Sequence, residues 1–365
     1  MKNASLPIGV MSLALSCHAA PAGPAPGPKA SDVSAKTASA GPAPSSPESA
    51  GSRQLNVIAL PGGAGGIGFD DLVFSHRRRL LLVPAGRTGQ LDVVDPQTKL
   101  VTAIAGFSAA EPSTTGHDFG TTSADEGRGV VFAIDRTTKL LHVVDEASRK
   151  IVASEPLAGS PDYVRWVETT GEVWVTEPDE ERIEIFAVPN GAAPTPKAGT
   201  FIKIAGGPES LVIDNKREWA FTHLWKGSTI VIDLRARAIL GKWKNGCEGS
   251  RGIALDETRG HLFVGCSEGK VATLDVDHEG QSVGEATTGS GVDIIAFSPE
   301  RRHLYAPGAN SATMAILDVA DSGALRTLAR VPTASGAHCV AADDRGGIWL
   351  CDPAKGQLLF VRDDY

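Results

Sequence analysis

The stretch 91–101, LDVVDPQTKLV, constrains this chain more than any other. Apolar and polar residues alternate, the direction reverses at Asp95-Pro96-Gln97-Thr98, and alternation resumes. A period of two is the mark of a half-buried strand. Aspartate at the first turn position and proline at the second suit a type I turn, because the proline ring already fixes φ near the required value. A single hairpin buries too little to stay folded. The chain repeats it instead: LHVVDEASRKIV at 141–152 restates the phrase, and VIDLRARAIL at 231–240 and LDVADSGALRTL at 317–328 are variants. A unit that cannot cover its own faces must stack on copies of itself.

From Gln54 onward the repeats recur every ~42–48 residues, the length of a propeller blade. Each has an apolar entry strand, a polar turn, a second strand, a loop and then the hairpin. The second strands stand out: LLLVPA at 80–85, VVFAID at 130–135, VWVTEP at 173–178, WAFTH at 219–223, LFVGC at 262–266, LYAPG at 304–308 and IWLCD at 348–352. Turns such as SHRRR, DNKRE, DETRG, SPERR and DDRGG precede them. The last unit ends after its third strand, QLLFVRDDY, while QLNVIAL at 54–60 is a strand without a unit. Pairing the two closes a ring and removes both open edges. The expected fold is all-β: a seven-bladed propeller of four-stranded antiparallel blades over 54–365, closed by strand 54–60 on the last blade. Six or eight blades would orphan a strand.

The segment SPERRHLYAPGANSATMAILDVADSGALRTL at 298–328 and the LDVVDPQTKLV hairpins resemble the YVTN/YncE-like seven-bladed propellers of exported bacterial proteins, a WD40-like repeat arrangement. The resemblance covers residues 54–365 as a pattern of turn and core residues. Two departures are clear. The asparagine usual after the second strand survives only near Asn310, and the third unit has a long, Pro-rich last hairpin at 188–200.

The beginning of the chain carries an address. Lys2 precedes ASLPIGVMSLALS at 4–16, an apolar run too short to span a bilayer but right for the core of a signal peptide. Ser16-Cys17-His18 then resembles a bacterial lipoprotein signal, which implies lipidation of Cys17, although Ala14 stands where that family places a large aliphatic residue. Cleavage after Ala19 is the alternative. The expected layout is a signal peptide at 1–19, a disordered Pro/Ala/Gly/Ser tether at 20–53, and the propeller at 54–365. The expected location is the periplasm, or the outer membrane of a Gram-negative bacterium, with membrane contact only through a lipid on Cys17.

Net charge is −8, and the first 53 residues are not its source. They hold Lys2, Lys29, Lys36 and Arg53 against Asp32 and Glu48, so the remainder carries 31 basic and 41 acidic side chains. Nucleic acid needs a basic footprint and is excluded as an expected partner. A small cation or a basic partner fits better.

Cys247 and Cys266 flank the start of the fifth unit, and Cys339 and Cys351 face each other across the hairpin CVAADDRGGIWLC. Two sequence-near pairs in an exported domain read as disulfides. Buried free thiols are the alternative. A metal-thiolate cluster does not fit, because the pairs belong to different units and lack C-x-x-C spacing.

Entry strands line a propeller's channel, and aligning the units on their second strands puts seven residues at one mouth. These are Asp70, Asp118, Asp162, Glu209, Arg251, Asp293 and His338, with His117 beside the least certain position. Converging carboxylates repel unless a cation, Arg251 or protons offset them, and an oxygen-rich set suits Ca²⁺ or Mg²⁺. Taken singly, each acid is more often a solvated loop residue or turn cap than a ligand. The loops after the second strands open on the same face with Arg87, Arg136, Asp179, His223, Trp225, Glu268, Asn310 and Asp352. Of these, His223 and Trp225 in THLWKG are the candidate ligand contacts, because an indole in a polar loop stacks on ligands as readily as it packs beneath the loop. Trp166, Trp174, Trp219, Trp243 and Trp349 fall in strands and read as core.

The sequence has no G-x-S-x-G elbow, H-E-x-x-H or Walker loop, and PGGAGGIG at 61–68 opens no helix. No catalytic residue is assigned. The expectation is a monomeric binding or scaffold protein with no resident cofactor, using its channel mouth for a small ligand or protein partner. The alternative is a metal-dependent propeller hydrolase or lyase, lactonase-like or streptogramin-lyase-like, with Ca²⁺ or Mg²⁺ held by acids such as Asp162 and Asp293.

Overall fold

The computed structural model describes residues 55–112, 116–191 and 194–365. The expected signal peptide, tether and Cys17 lie outside the described residues. Within them the chain forms 28 strands and one short 3₁₀ turn at Val276–His278. No helix among the described residues is long and apolar enough to cross a membrane.

The strands make seven four-stranded antiparallel sheets. Six follow the chain order, at 73–109, 121–156, 164–203, 212–244, 250–287 and 296–332. The seventh joins both ends of the fold: β26 (Val340–Ala342), β27 (Gly347–Asp352), β28 (Gln357–Arg362) and then β1 (Asn56–Ala59). Asn56 pairs with Phe360 and Ala59 with Gln357. The ring is therefore closed as the unpaired terminal strands required.

The hairpin turns are one residue longer than a bare type I turn. Asp95 Oδ1 accepts from the amides of Gln97 (2.7 Å) and Thr98 (3.2 Å), and the Lys99 amide donates to Asp95 O at 2.8 Å. Lys99 then takes φ 64° to bring the chain back into register. This is a type I turn followed by a left-handed residue. Asp233 repeats it, accepting from the Ala236 amide at 2.7 Å with Arg237 at φ 53°. Aspartate recurs here because its short carboxylate satisfies turn amides that no strand can reach.

Seven apolar clusters fill the seven junctions between neighbouring sheets. Trp349 packs between the last blade and the first, Trp166 and Trp174 on either side of the third, and Trp219 and Trp243 between the fourth and fifth. Burying a large side chain this way contributes about 1.5–3 kcal/mol. No sheet could keep that gain alone, which is why the ring must close. Around the channel five of the seven innermost strands are only three or four residues long, and polar links tie adjacent blades: the Val164 amide donates to Ser123 Oγ at 3.1 Å and the Trp166 amide to Asp125 Oδ2 at 2.7 Å.

Candidate functional site at the channel mouth

The residues just before or at the start of each innermost strand end at one opening of the channel. There they line a cavity of about 800 Å³. Asp70, Asp118, Asp162 and Glu209 are in its wall, as are Arg251, Asp293 and His338, so all seven residues of the aligned ring come together. From the loops Arg136, Asp179 and Trp225 join them. His223 does not: it is fully buried inside its blade, where its Nδ1 meets Thr229 Oγ1 at 3.0 Å and burial pulls its pKa down to about 3. The strand runs through Leu224 and buries His223, whereas Trp225 lies just past its end and is exposed, so a ligand contact at His223 is corrected to a core contact. Arg87 is also buried, donating to the Ala64 carbonyl at 2.8 Å.

Six carboxylates thus face four basic groups, Arg136, Arg251, His117 and His338. Both arginines are occupied. Arg136 is bound to Asp162 and lies 3.6 Å from Asp70 and 3.4 Å from Asp118. Arg251 Nη1 donates to Glu209 Oε1 at 2.6 Å, and its guanidinium lies 4.4 Å over the half-exposed Trp225 ring. Burial still pushes the Glu209 carboxyl up to about 7, against the pull of Arg251. Burial likewise raises Asp293, against the pull of His338. Asp70 Oδ2 is buried with no hydrogen-bond partner, and Asp70 in turn raises the pKa of His117, 3.6 Å away.

His338 has unusual surroundings. Its Nδ1 faces Gly336 O at 2.7 Å and its Nε2 faces Phe69 O at 2.9 Å. A neutral imidazole donates from one nitrogen only, so both contacts are satisfied by the imidazolium. Burial opposes that charge, but Cys351, Asp293 and the Gly336 carbonyl outweigh it and push the pKa up to about 11.

The cysteines divide. Cys247 and Cys266 form a disulfide. Cys339 and Cys351, expected as a second one, are free and fully buried. They sit opposite each other where β26 and β27 begin to separate. The Cys351 amide reaches Cys339 O at 3.3 Å, and the Cys351 sulfur is turned to accept from the Cys339 amide at 3.1 Å. The two sulfurs lie within 4.8 Å of each other without being bonded.

Three points were not foreseen. Tyr163 and Ser160 line the cavity, with no signal beyond their nearness to Asp162, and Arg136 neutralises part of the ring, which its place in a loop did not reveal. Nor do the mouth carboxylates converge on a point: among the described residues, no three of them bring oxygens within 4.8 Å of one another. Asp162 and Asp293 therefore do not form a ready-made Ca²⁺ or Mg²⁺ cage.

No family model and no curated protein matches this sequence. Solved structures do match in shape. A chain of a mitotic checkpoint complex is 14% identical with a TM-score of 0.68, covering 91% of this chain and 98% of its own. A chain of Kuenenia stuttgartiensis hydrazine synthase is 12% identical with a TM-score of 0.67, covering 82% and 96%. The β-propeller domain of Myceliophteria thermophila Cps50 (Swd1) is 13% identical with a TM-score of 0.66, covering 84% and 99%. Such different proteins share only an architecture. The chain is a seven-bladed β-propeller.

Proposed function

We propose that this chain is an exported, non-enzymatic binding propeller of the YVTN/YncE-like type, whose acidic mouth takes an ammonium or guanidinium group from a small ligand or a protein partner. The observation that carries this reading is charge: six carboxylates line one cavity whose two arginines are already paired within it. A cation entering there meets a surplus of acceptors in a concave site, where fields are focused. Trp225, 51% exposed at the rim, offers a ring face of the kind that Arg251 already occupies. The Cys247–Cys266 disulfide fits an oxidising compartment, as do a signal peptide and lipidated Cys17. Protein-complex membership of a shape neighbour, the mitotic checkpoint complex chain, is in keeping with a scaffold role.

The test is calorimetry on the full chain with spermidine, an arginine-rich peptide, Ca²⁺ and Mg²⁺. Organic cations should bind, weaken with added salt, and lose about tenfold or more in affinity in an Asp162→Asn/Asp293→Asn variant. Binding that ignores this neutralisation, or a preference for anions, would overturn the reading. Membrane fractionation of a Cys17→Ser variant tests the anchor, which fails if the wild type is already soluble.

A further inference from the structure

At the wall of the same cavity, His338, Cys339 and Cys351 bring one nitrogen and two sulfur atoms within 4.8 Å of one another. Packing alone explains a small apolar residue at each cysteine position, since both belong to the cluster between the last and first blades. It does not explain two sulfurs beside an imidazole, nor how that imidazole is held. His338 Nε2 is fixed on the Phe69 carbonyl at 2.9 Å. A histidine that ligates a metal typically anchors its other ring nitrogen in this way, on a backbone carbonyl, and so sets the ring's direction. The anchored ring turns Nδ1 to within 4.0 Å of the Cys351 sulfur. Cys351 is itself oriented by the Cys339 amide, 3.1 Å from its sulfur. Two of the three potential ligands, His338 and Cys351, therefore already have an outer partner.

From this geometry we propose that His338 Nδ1, Cys339 Sγ and Cys351 Sγ form a binding site for a thiophilic d¹⁰ cation, Zn²⁺ or Cu⁺. Two sulfurs and one imidazole nitrogen are soft donors and discriminate against Ca²⁺ and Mg²⁺, which take oxygen. Three protein ligands leave a fourth position open, and of the three only His338 borders the cavity. Loading breaks the Nδ1 contact with Gly336 O and releases the protons of Nδ1 and of the thiols to solvent. The surrounding carboxylates draw cations toward the site, but the site stands on its own donors whatever else the mouth binds.

The test uses the full chain, oxygen-free and without added reductant, so that the Cys247–Cys266 disulfide stays closed. Titration with Co²⁺ should give one ion per chain and a thiolate-to-cobalt charge-transfer band. Zn²⁺ should abolish that band, and Cu⁺ should be compared in a chelator competition to decide between the two metals. Cys351→Ser and Cys339→Ser should each remove the band, and His338→Ala should weaken binding by about tenfold or more. If a variant fails to fold, thermal melting of the wild type still decides: Zn²⁺ or Cu⁺ should raise its melting temperature and Ca²⁺ should not. A band that survives in folded Cys351→Ser, a melting temperature unchanged by Zn²⁺ and Cu⁺, or a Cys339–Cys351 disulfide in the native protein would overturn the site.

Discussion

Asp92 is the side chain whose burial costs this fold most visibly. It lies in the third strand of the first blade, fully buried, and neither carboxylate oxygen has a hydrogen-bond partner. Burial pushes its pKa from the ordinary 3.8 to about 7. Below about pH 4 the group is neutral both folded and unfolded and costs nothing. Between pH 4 and 7 the unfolded chain ionises while the folded one keeps its proton, so stability falls as pH rises. Above 7 the loss is complete, and a difference of about three pH units at 1.36 kcal/mol each makes it about 4 kcal/mol. Asp92→Asn replaces one neutral, unbonded polar group by another and removes only the ionisation. Urea denaturation of both proteins from pH 4 to 8 should show equal stability at the acid end and an advantage for the variant that grows toward about 4 kcal/mol. Every other titrating group cancels in that difference. A variant less stable than the wild type at pH 8, or a gap independent of pH, would refute the assignment.

At the other end of the chain, Asp363 is fully buried and accepts from Tyr305 Oη at 2.6 Å and meets His303 Nδ1 at 2.7 Å, tying the C-terminus to the sixth blade. Asp363→Ala should cost about 3–5 kcal/mol by leaving both partners without an acceptor, measured by chemical denaturation; a loss below 1 kcal/mol would show that the contact does not lock the ring. Glu209 gives cation binding a pH dependence. Its carboxyl is neutral below and anionic above about 7, so affinity for spermidine should rise through neutrality. One charge at ~10 Å and an effective dielectric of ~20 amounts to about 1.7 kcal/mol, roughly a tenfold gain. Glu209→Gln should flatten that rise in calorimetry across pH 6–8, and an unchanged profile would remove Glu209 from the site.

The fold was legible because its signals are local and repeated. The Asp95 turn, the run of apolar second strands and the unpaired strand before residue 60 each state a constraint that neighbours along the chain already satisfy. The mouth was legible for a related reason: equivalent positions in equivalent blades must meet at the axis, so one alignment predicts seven residues at once. What the sequence concealed depends on contacts between blades. Arg136 reaches across to Asp162 in the next blade, and no spacing announces that reach. His223 and Trp225 are two residues apart and share a polar loop sequence, yet a strand that continues through Leu224 buries the first while its end exposes the second. Cys339 and Cys351 were correctly placed opposite each other, but whether two opposed sulfurs bond depends on side-chain orientation that spacing along the chain does not state.

A propeller channel becomes a binding cavity only if something closes it below the mouth, and the same residues explain how. Tyr163 borders the mouth cavity and also a second, smaller one of about 200 Å³ deeper along the channel. Beneath its ring lies Arg165, 5.2 Å away. Arg165 is held by Asp71 through two contacts, at 2.6 and 3.2 Å, and Asp71 also accepts from Ser123 Oγ at 2.7 Å. The Arg165 charge is therefore compensated at this level, and the smaller cavity is faced by Ile253, Ile294, Ile295 and Phe297 beside the Asp71–Arg165 pair and His76. A cation that descends past Tyr163 gives up the surplus carboxylates for an arginine already paired and for walls that are in part apolar, and desolvation makes that step unfavourable. On the proposed reading the cation site is therefore confined to the mouth end.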